Sequence, residues 1–364
     1  MSRALAVAAL SASLACAAVD VSEPKAPVGT PASEDERGVF RLAEEAEKRY
    51  LASGKVLDAP ELEGYLEEIA RTLTPPDALA SLRLRVHLLR DRSINAGAMP
   101  TGALFINTGL LARLDDEAEV AAVLGHELSH VLHRHLLLAQ RRRAEVFAIS
   151  LLSQLSEYSQ EHEREADRDA VAALARAGYR VNAAATALEK MAAWDQAEKV
   201  KDPKYPSHPP HKERIAAAWA QVKVLAPGGV TGSEAYAAKI ADLLLVNARL
   251  ELASARYEWA RAQVERHLAL RPASAAGHAL LGEVARREAA QGHEQAALAS
   301  YRKAVELDPK LAEGWRGLGL VLQKTGDHAA ARRALTTYLE LAPDAPDRGH
   351  VRSYLDAPEG KPTP

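Results

Sequence analysis

His126-Glu127-Leu128-Ser129-His130 sets two imidazoles four residues apart with a carboxylate beside the first. On a helix, positions i and i+4 lie on one face about 6 Å apart. Two imidazole nitrogens so placed can each reach a single Zn²⁺ at about 2.0–2.1 Å. The glutamate between them then points at the open coordination position, where it can take a proton from a metal-activated water. The chemistry on offer is metal-assisted hydrolysis, most often of a peptide bond.

Zinc needs a third protein ligand. His133 shares the face of the pair but lies seven residues beyond His126, roughly 10.5 Å along the axis, too far for one ion. It is expected to face solvent or to support a ligand from behind. The run Ser159-Gln160-Glu161-His162-Glu163-Arg164-Glu165-Ala166-Asp167 offers a carboxylate instead. Glu163 and Asp167 are i, i+4 and share a face. The first can bind the metal while the second accepts a hydrogen bond from a ligating imidazole and fixes its tautomer. Alone, the run could equally be a solvated acidic helix face.

The elements that must position these residues are helices. Asp115-Asp116-Glu117 supplies capping acceptors and acids suited to the positive end of a helix dipole. Val120, Val123, Leu124, Leu128, Val131 and Leu132 then recur at helical spacing. No proline falls between Asp115 and Arg143, and Gly125 is the only interior glycine. An unbroken helix is therefore expected over that span.

With these motifs in place, the chain resembles the HtpX/Ste-type zinc endopeptidases, the family of the CAAX prenyl protease, the mitochondrial Oma peptidase and the BepA-like periplasmic proteases. A G-H-E-L-x-H helix, an E-x-E-A-D helix some thirty residues on, an H-P…E-R-I segment, and Asn95-Ala96-Gly97-Ala98-Met99-Pro100-Thr101-Gly102 upstream carry the likeness. The resemblance implies an α+β gluzincin-type catalytic domain with a small sheet. It implies His126, His130 and Glu163 as ligands of one Zn²⁺, Glu127 as general base and Asp167 as supporting carboxylate. It also implies a loop over the site carrying His208, followed by Arg214. Arg214 would donate to the oxyanion. His208 would do the same, contact substrate, pack the loop, or occupy the open zinc position and hold the enzyme inactive. The stretch Ala103–Asn107 resembles the family's edge strand, which would pair with an extended substrate. Asn95, Ala103, Leu104, Phe105 and Ile106 are accordingly the expected substrate-binding residues.

Residues 1–16 read as an export signal: a short basic start, then an apolar run from Ala4 to Ala15 too short to span a bilayer. Cys16, the only cysteine, stands where a lipoprotein signal would be cut and lipidated, although Ala15-Cys16-Ala17 also suits ordinary cleavage. A periplasmic protein, lipid-anchored to a bacterial envelope membrane, is expected. Residues 17–33 read as a flexible tether. The catalytic domain is placed at 34–225 and a linker at 226–240 on the strength of Ala226-Pro227-Gly228-Gly229. A net charge of −3 with interspersed signs gives no footprint for nucleic acid.

Beyond the linker the chain repeats. Pro272, Pro309 and Pro343 each close a similar segment, and Trp315, Leu318, Gly319, Ala331, Tyr338 and Pro343 fall at tetratricopeptide offsets. Three such repeats are placed at 241–345 and a capping segment with a disordered tail at 346–364. The fold class is thus mainly α: an α+β catalytic domain followed by an α-solenoid whose concave face binds peptides or partner proteins. Two function classes follow. One is an exported protease of misfolded or misassembled envelope proteins, docked by its repeats on substrates or on outer-membrane assembly machinery. The other is a chaperone or scaffold with a latent, self-inhibited zinc site.

Overall fold

The computed structural model describes residues 27–142, 159–200, 209–225, 228–288 and 293–356. The expected export signal with Cys16, the expected loop residue His208, Ala226-Pro227 and the residues beyond 356 lie outside them. Two helices frame the site. Helix α5 (Glu117–Leu132) starts at Asp116, whose side chain accepts from the Glu119 N–H, with Glu117 and Glu119 in its first turn. Helix α7 (Gln160–Ala177) starts at Ser159, which accepts from the His162 N–H, and ends in left-handed Gly178. The two helices pack closely because their facing residues are small. A Cβ at Gly125 would sit 3.3 Å from the Ala170 Cα, tighter than ordinary packing.

Helix α5 does not run on to Arg143. Arg134 takes a left-handed conformation at φ 53°, and a new helix, α6, runs His135–Arg142. No helix breaker marks the spot; tertiary contacts decide it. The buried Arg134 guanidinium pairs with Glu36 and donates to the carbonyls of Pro27 (2.7 Å) and Thr30 (3.3 Å). Glu36 belongs to α1 (Glu34–Ala52). Residues 27–33, expected as part of a free tether, are therefore docked on the catalytic domain, where Ser81 also donates to the Val28 carbonyl.

The sheet has four strands, β1 (Val56–Leu57), β2 (Arg85–Leu89), β3 (Ala96–Ala98) and β4 (Ala103–Asn107), in the order β1-β2-β4-β3. β2 and β4 are parallel, with Arg85 opposite Ala103 and Leu89 opposite Asn107; the other pairs are antiparallel. This corrects the expected edge strand. Residues 103–107 form an interior strand, buried along its whole length, as its near-continuous apolar run suits. The edge next to α5 is β3, an Ala-Gly-Ala strand. Helix α2 (Pro60–Leu73) covers β2 and also packs on α5 and α7, and two single turns, α3 (Pro76–Leu79) before β2 and α4 (Thr108–Leu111) after β4, join the strands to the helices.

Two further helices complete the catalytic region, α8 (Ala183–Ala197) and α9 (His211–Val222), packed on each other and on the α5–α7 pair. The described part of the expected 226–240 linker is not a free connection. Val230 pairs with Tyr179, the Thr231 carbonyl accepts from the Ala118 N–H, and α10 (Ser233–Ala253) begins at once. Tyr236 and Ile240, fully buried, join Leu243 and Leu244 in the same core as Leu110, Leu114 and Val120. Glycine and proline there signal irregular backbone, which is a different property from exposure.

Helix α10 pairs with α11 (Tyr257–Leu270), α12 (Ala275–Glu288) with α13 (His293–Leu307), and α14 (Ala312–Thr325) with α15 (His328–Leu341). These are the three helical hairpins of the solenoid. Small residues let them interlock: a Cβ at Gly317 would lie 2.0 Å from the Tyr301 ring. Helix α16 (Arg348–Asp356) closes the array by burying Val351 against Leu335 and Tyr338.

Candidate metal centre

His126 and His130, one turn apart on α5, bring their Nε2 atoms to 3.2 Å. Glu163, from the first turn of α7, places its carboxylate oxygens 3.6 Å from His126 Nε2 and 3.5 Å from His130 Nε2. Two donors each about 2.05 Å from a tetrahedral zinc are separated by about 3.3 Å. The three side chains therefore fit a common zinc ion in both chemistry and spacing. Glu163 is fully buried and the His130 side chain is 2% exposed, so a charge placed between them is shielded from water.

The carboxylate four residues along α7 holds the site from behind. Asp167 Oδ1 lies 3.0 Å from His126 Nδ1, which leaves Nε2 facing the cluster. Arg214, from the first turn of α9, grips Asp167 with two parallel bonds, Nε to Oδ2 at 2.8 Å and Nη2 to Oδ1 at 2.7 Å. Burial alone would raise the Asp167 pKa, but Arg214 and His126 overcome it and hold the carboxyl well below the usual range. Burial likewise works to lower the His126 pKa, yet Asp167 and Glu163 leave it raised. The Arg214 pKa is raised, since Asp167 and Glu163 outweigh its own desolvation.

That geometry gives Arg214 a role besides the expected one: Nε and Nη2 are turned to Asp167, with Glu163 4.0 Å from Nη2, so the guanidinium braces the ligand shell. Glu127 is half-buried beside the cluster and its charge contributes to the field at Arg214. Of the expected substrate-binding residues, Ala103, Leu104, Phe105 and Ile106 are 0–2% exposed inside the sheet and line no open surface. Asn95 is exposed at the start of β3, its carbonyl accepting from the Asn107 N–H. His133 is partly exposed and bonds Asp169 at 2.8 Å, which also accepts from Ser129.

Two residues that sequence reasoning missed sit beside His130. His135 Nδ1 lies 2.9 Å from His130 Nδ1, and His135 Nε2 lies 3.0 Å from Glu165 Oε2. The His162 ring stacks on His135, with centroids 4.1 Å apart and planes 3° from parallel. Burial, helped by the neighbouring His162 and His133, pushes the His135 pKa down to about 3, so its ring is neutral. The spacing His130–His135 carries no helical periodicity, so only the break at Arg134 could have revealed it.

A helix bearing H-E-x-x-H, met by a glutamate from a second helix, defines a metal-hydrolase centre of the gluzincin type. The chain carries a peptidase family M48 domain, matched over residues 57–155 and 144–222, followed by a tetratricopeptide repeat region matched over 284–356. It is 28% identical to the beta-barrel assembly-enhancing protease of Escherichia coli, over 60% of this chain and 51% of that protein. It is 28% identical to the mitochondrial metalloendopeptidase OMA1 of Schizosaccharomyces pombe, over 35% of this chain and 43% of that one. The chain thus spans about half the length or less of these relatives. Among solved structures, YrrB, a tetratricopeptide protein with an unusual peptide-binding site, aligns at 16% identity and a TM-score of 0.29, over 51% of this chain and 83% of that one.

Proposed function

We propose that this chain is a zinc-dependent endopeptidase of the bacterial envelope, acting in the periplasm on misfolded or misassembled proteins. The observation that carries this reading is the convergence of His126, His130 and Glu163 within 3.2–3.6 Å of one another, with Glu127 alongside. Each would contribute one ligand atom to one Zn²⁺. Bound there, the ion would polarise a peptide carbonyl and make water a better acid. Glu127 takes the proton of the attacking water at its carboxylate and delivers it to the departing amine nitrogen. Asp167 fixes the His126 ring, and Arg214 fixes Asp167.

Among the described residues β3 is the outer strand of the sheet beside α5, which makes it the better candidate for holding substrate. In its antiparallel register with β4, Gly97 faces Phe105, so the backbone groups of half-buried Ala96 turn to the outer side, while Ala98 is buried. An extended chain added there would be held by main-chain bonds, with little selection among side chains. Such a site suits unfolded segments. No helix among the described residues is long and apolar enough to cross a membrane. The relative named for β-barrel assembly supports outer-membrane proteins as substrates. The repeats would bind such substrates or a partner that presents them.

The test pairs zinc content with proteolysis of casein and of an unfolded outer-membrane porin. Wild type should hold about one zinc per chain and cleave both. Glu127→Gln should keep the metal and lose cleavage. Equal cleavage by the two proteins would sink the reading.

A further inference from the structure

The two histidines of the cluster are supported differently. His126 meets a carboxylate directly, Asp167. His130 meets another imidazole, His135, whose far nitrogen meets Glu165. The proton positions along this chain follow from donor and acceptor chemistry. Glu165 as a carboxylate can only accept, so His135 carries its proton on Nε2 and donates it there. Two facing ring nitrogens at hydrogen-bond distance share one proton, and a zinc-ligating His130, which must keep its lone pair on Nε2, carries that proton on Nδ1. The 2.9 Å contact between the two Nδ1 atoms therefore requires His130 to donate its Nδ1–H. His130 is left with an Nε2 lone pair, and that nitrogen faces His126 and Glu163.

The arrangement is built by the break in the metal helix. In an unbroken α-helix, residue i+5 lies about 140° around the axis from residue i, and His135 could not reach the His130 ring. The left-handed turn at Arg134 brings it back. The ring plane of His135 is set by stacking on His162, with His133 on a neighbouring stack at 5.5 Å, and the residue is 1% exposed. Glu165 lies on α7 between Glu163 and Asp167, so one helix delivers a ligand and both supporting carboxylates.

We infer that His135 and Glu165 are positioning residues for the metal. They form a two-bond relay that holds His130 in the tautomer able to bind zinc. The inference rests on the proposed function only in taking the His126–His130–Glu163 cluster to bind the ion.

The measurement is the zinc dissociation constant of the full chain, by competition with a chelator of known affinity, together with the visible spectrum of the cobalt-substituted protein. His135→Phe keeps the stacked ring and loses both hydrogen bonds. It should weaken zinc about 10–100-fold and shift the cobalt bands. His135→Asn, which restores an acceptor near the Nδ1 position, should recover a large part of that loss. Glu165→Gln, at a partly exposed position, should weaken zinc by a smaller factor. A folded His135→Phe binding zinc within about twofold of wild type would overturn the relay, as would His135→Asn no better than His135→Phe. If His135→Phe does not fold, Glu165→Ala decides: unchanged affinity overturns the relay, and clear weakening supports it. Failure of the underlying reading looks different, because the wild-type chain itself would then bind no zinc, which overturns the relay as well.

Discussion

The catalytic hairpin and the repeat array both bury charged groups, and they resolve that burial in opposite ways. In the repeats, Glu283 accepts from Arg286, Arg287 and the Tyr301 hydroxyl, all at 2.6–2.8 Å. Opposite charges meet within one hairpin and the network closes on itself. In the hairpin of α5 and α7, two imidazole nitrogens and a carboxylate point at one another across 3.2–3.6 Å, around a space that a cation would fill. A closed network serves stability, whereas a convergent one is arranged for a ligand. The difference separates scaffold from site more sharply than burial does.

The comparison can be broken most directly at Glu127. Glu127→Gln should cut peptide hydrolysis by about 10³-fold or more with zinc content unchanged, read by porin cleavage and elemental analysis. Metal removal comes next. A chelator should lower the melting temperature of the catalytic region by roughly 5–10 °C, assuming zinc in about hundredfold excess over its dissociation constant. The repeat amides of α12–α15 should keep their hydrogen-exchange protection. Equal losses in both regions would erase the distinction.

Gly317→Ala works from the other side. Its Cβ would collide with the Tyr301 ring, so the repeats should lose about 1–3 kcal/mol by overpacking while zinc affinity stays put. Acid should have the smallest effect per step, counted over one pH unit. Burial opposes it, but Arg286, Tyr301 and Arg287 hold the Glu283 pKa down at about 2 against an ordinary 4.5. The unfolded chain takes up that proton first, so stability is present above pH 4.5 and is lost as pH falls towards 2. Over one pH unit a single proton changes stability by at most about 1.4 kcal/mol. Exchange in α12 and α13 should follow that slope, and Glu283→Gln should flatten it.

Much of the site was legible because its chemistry follows helical periodicity. His126 and His130, or Glu163 and Asp167, announce a shared face by spacing alone. The repeats were legible for a similar reason: small residues such as Gly319 and Ala331 recur where helices must touch. What was not legible depends on long-range partners. Arg134 has nothing in its local sequence to end a helix, and only Glu36, Pro27 and Thr30 explain its backbone. The same holds for β4, since an interior and an edge strand differ in neighbours more than in composition. Arg214 shows a third limit. Its presence near the site was readable, but its partner Asp167 lies 47 residues away, so its part as a brace was not.

The entry of α10 into the catalytic core has a consequence for how such a protein can be rearranged. A flexible connector tolerates insertions, deletions and the exchange of whatever follows it. Here an added residue near Ser233 would rotate Tyr236 off the Leu111 carbonyl, which its hydroxyl reaches at 2.5 Å, and draw Ile240 out of its pocket. It would also misplace Arg266, whose guanidinium holds the carbonyls of Ala112 and Leu114. The catalytic region and the first repeat hairpin can therefore be inherited, transplanted or truncated only together, and a swap of repeats has to be made after α11.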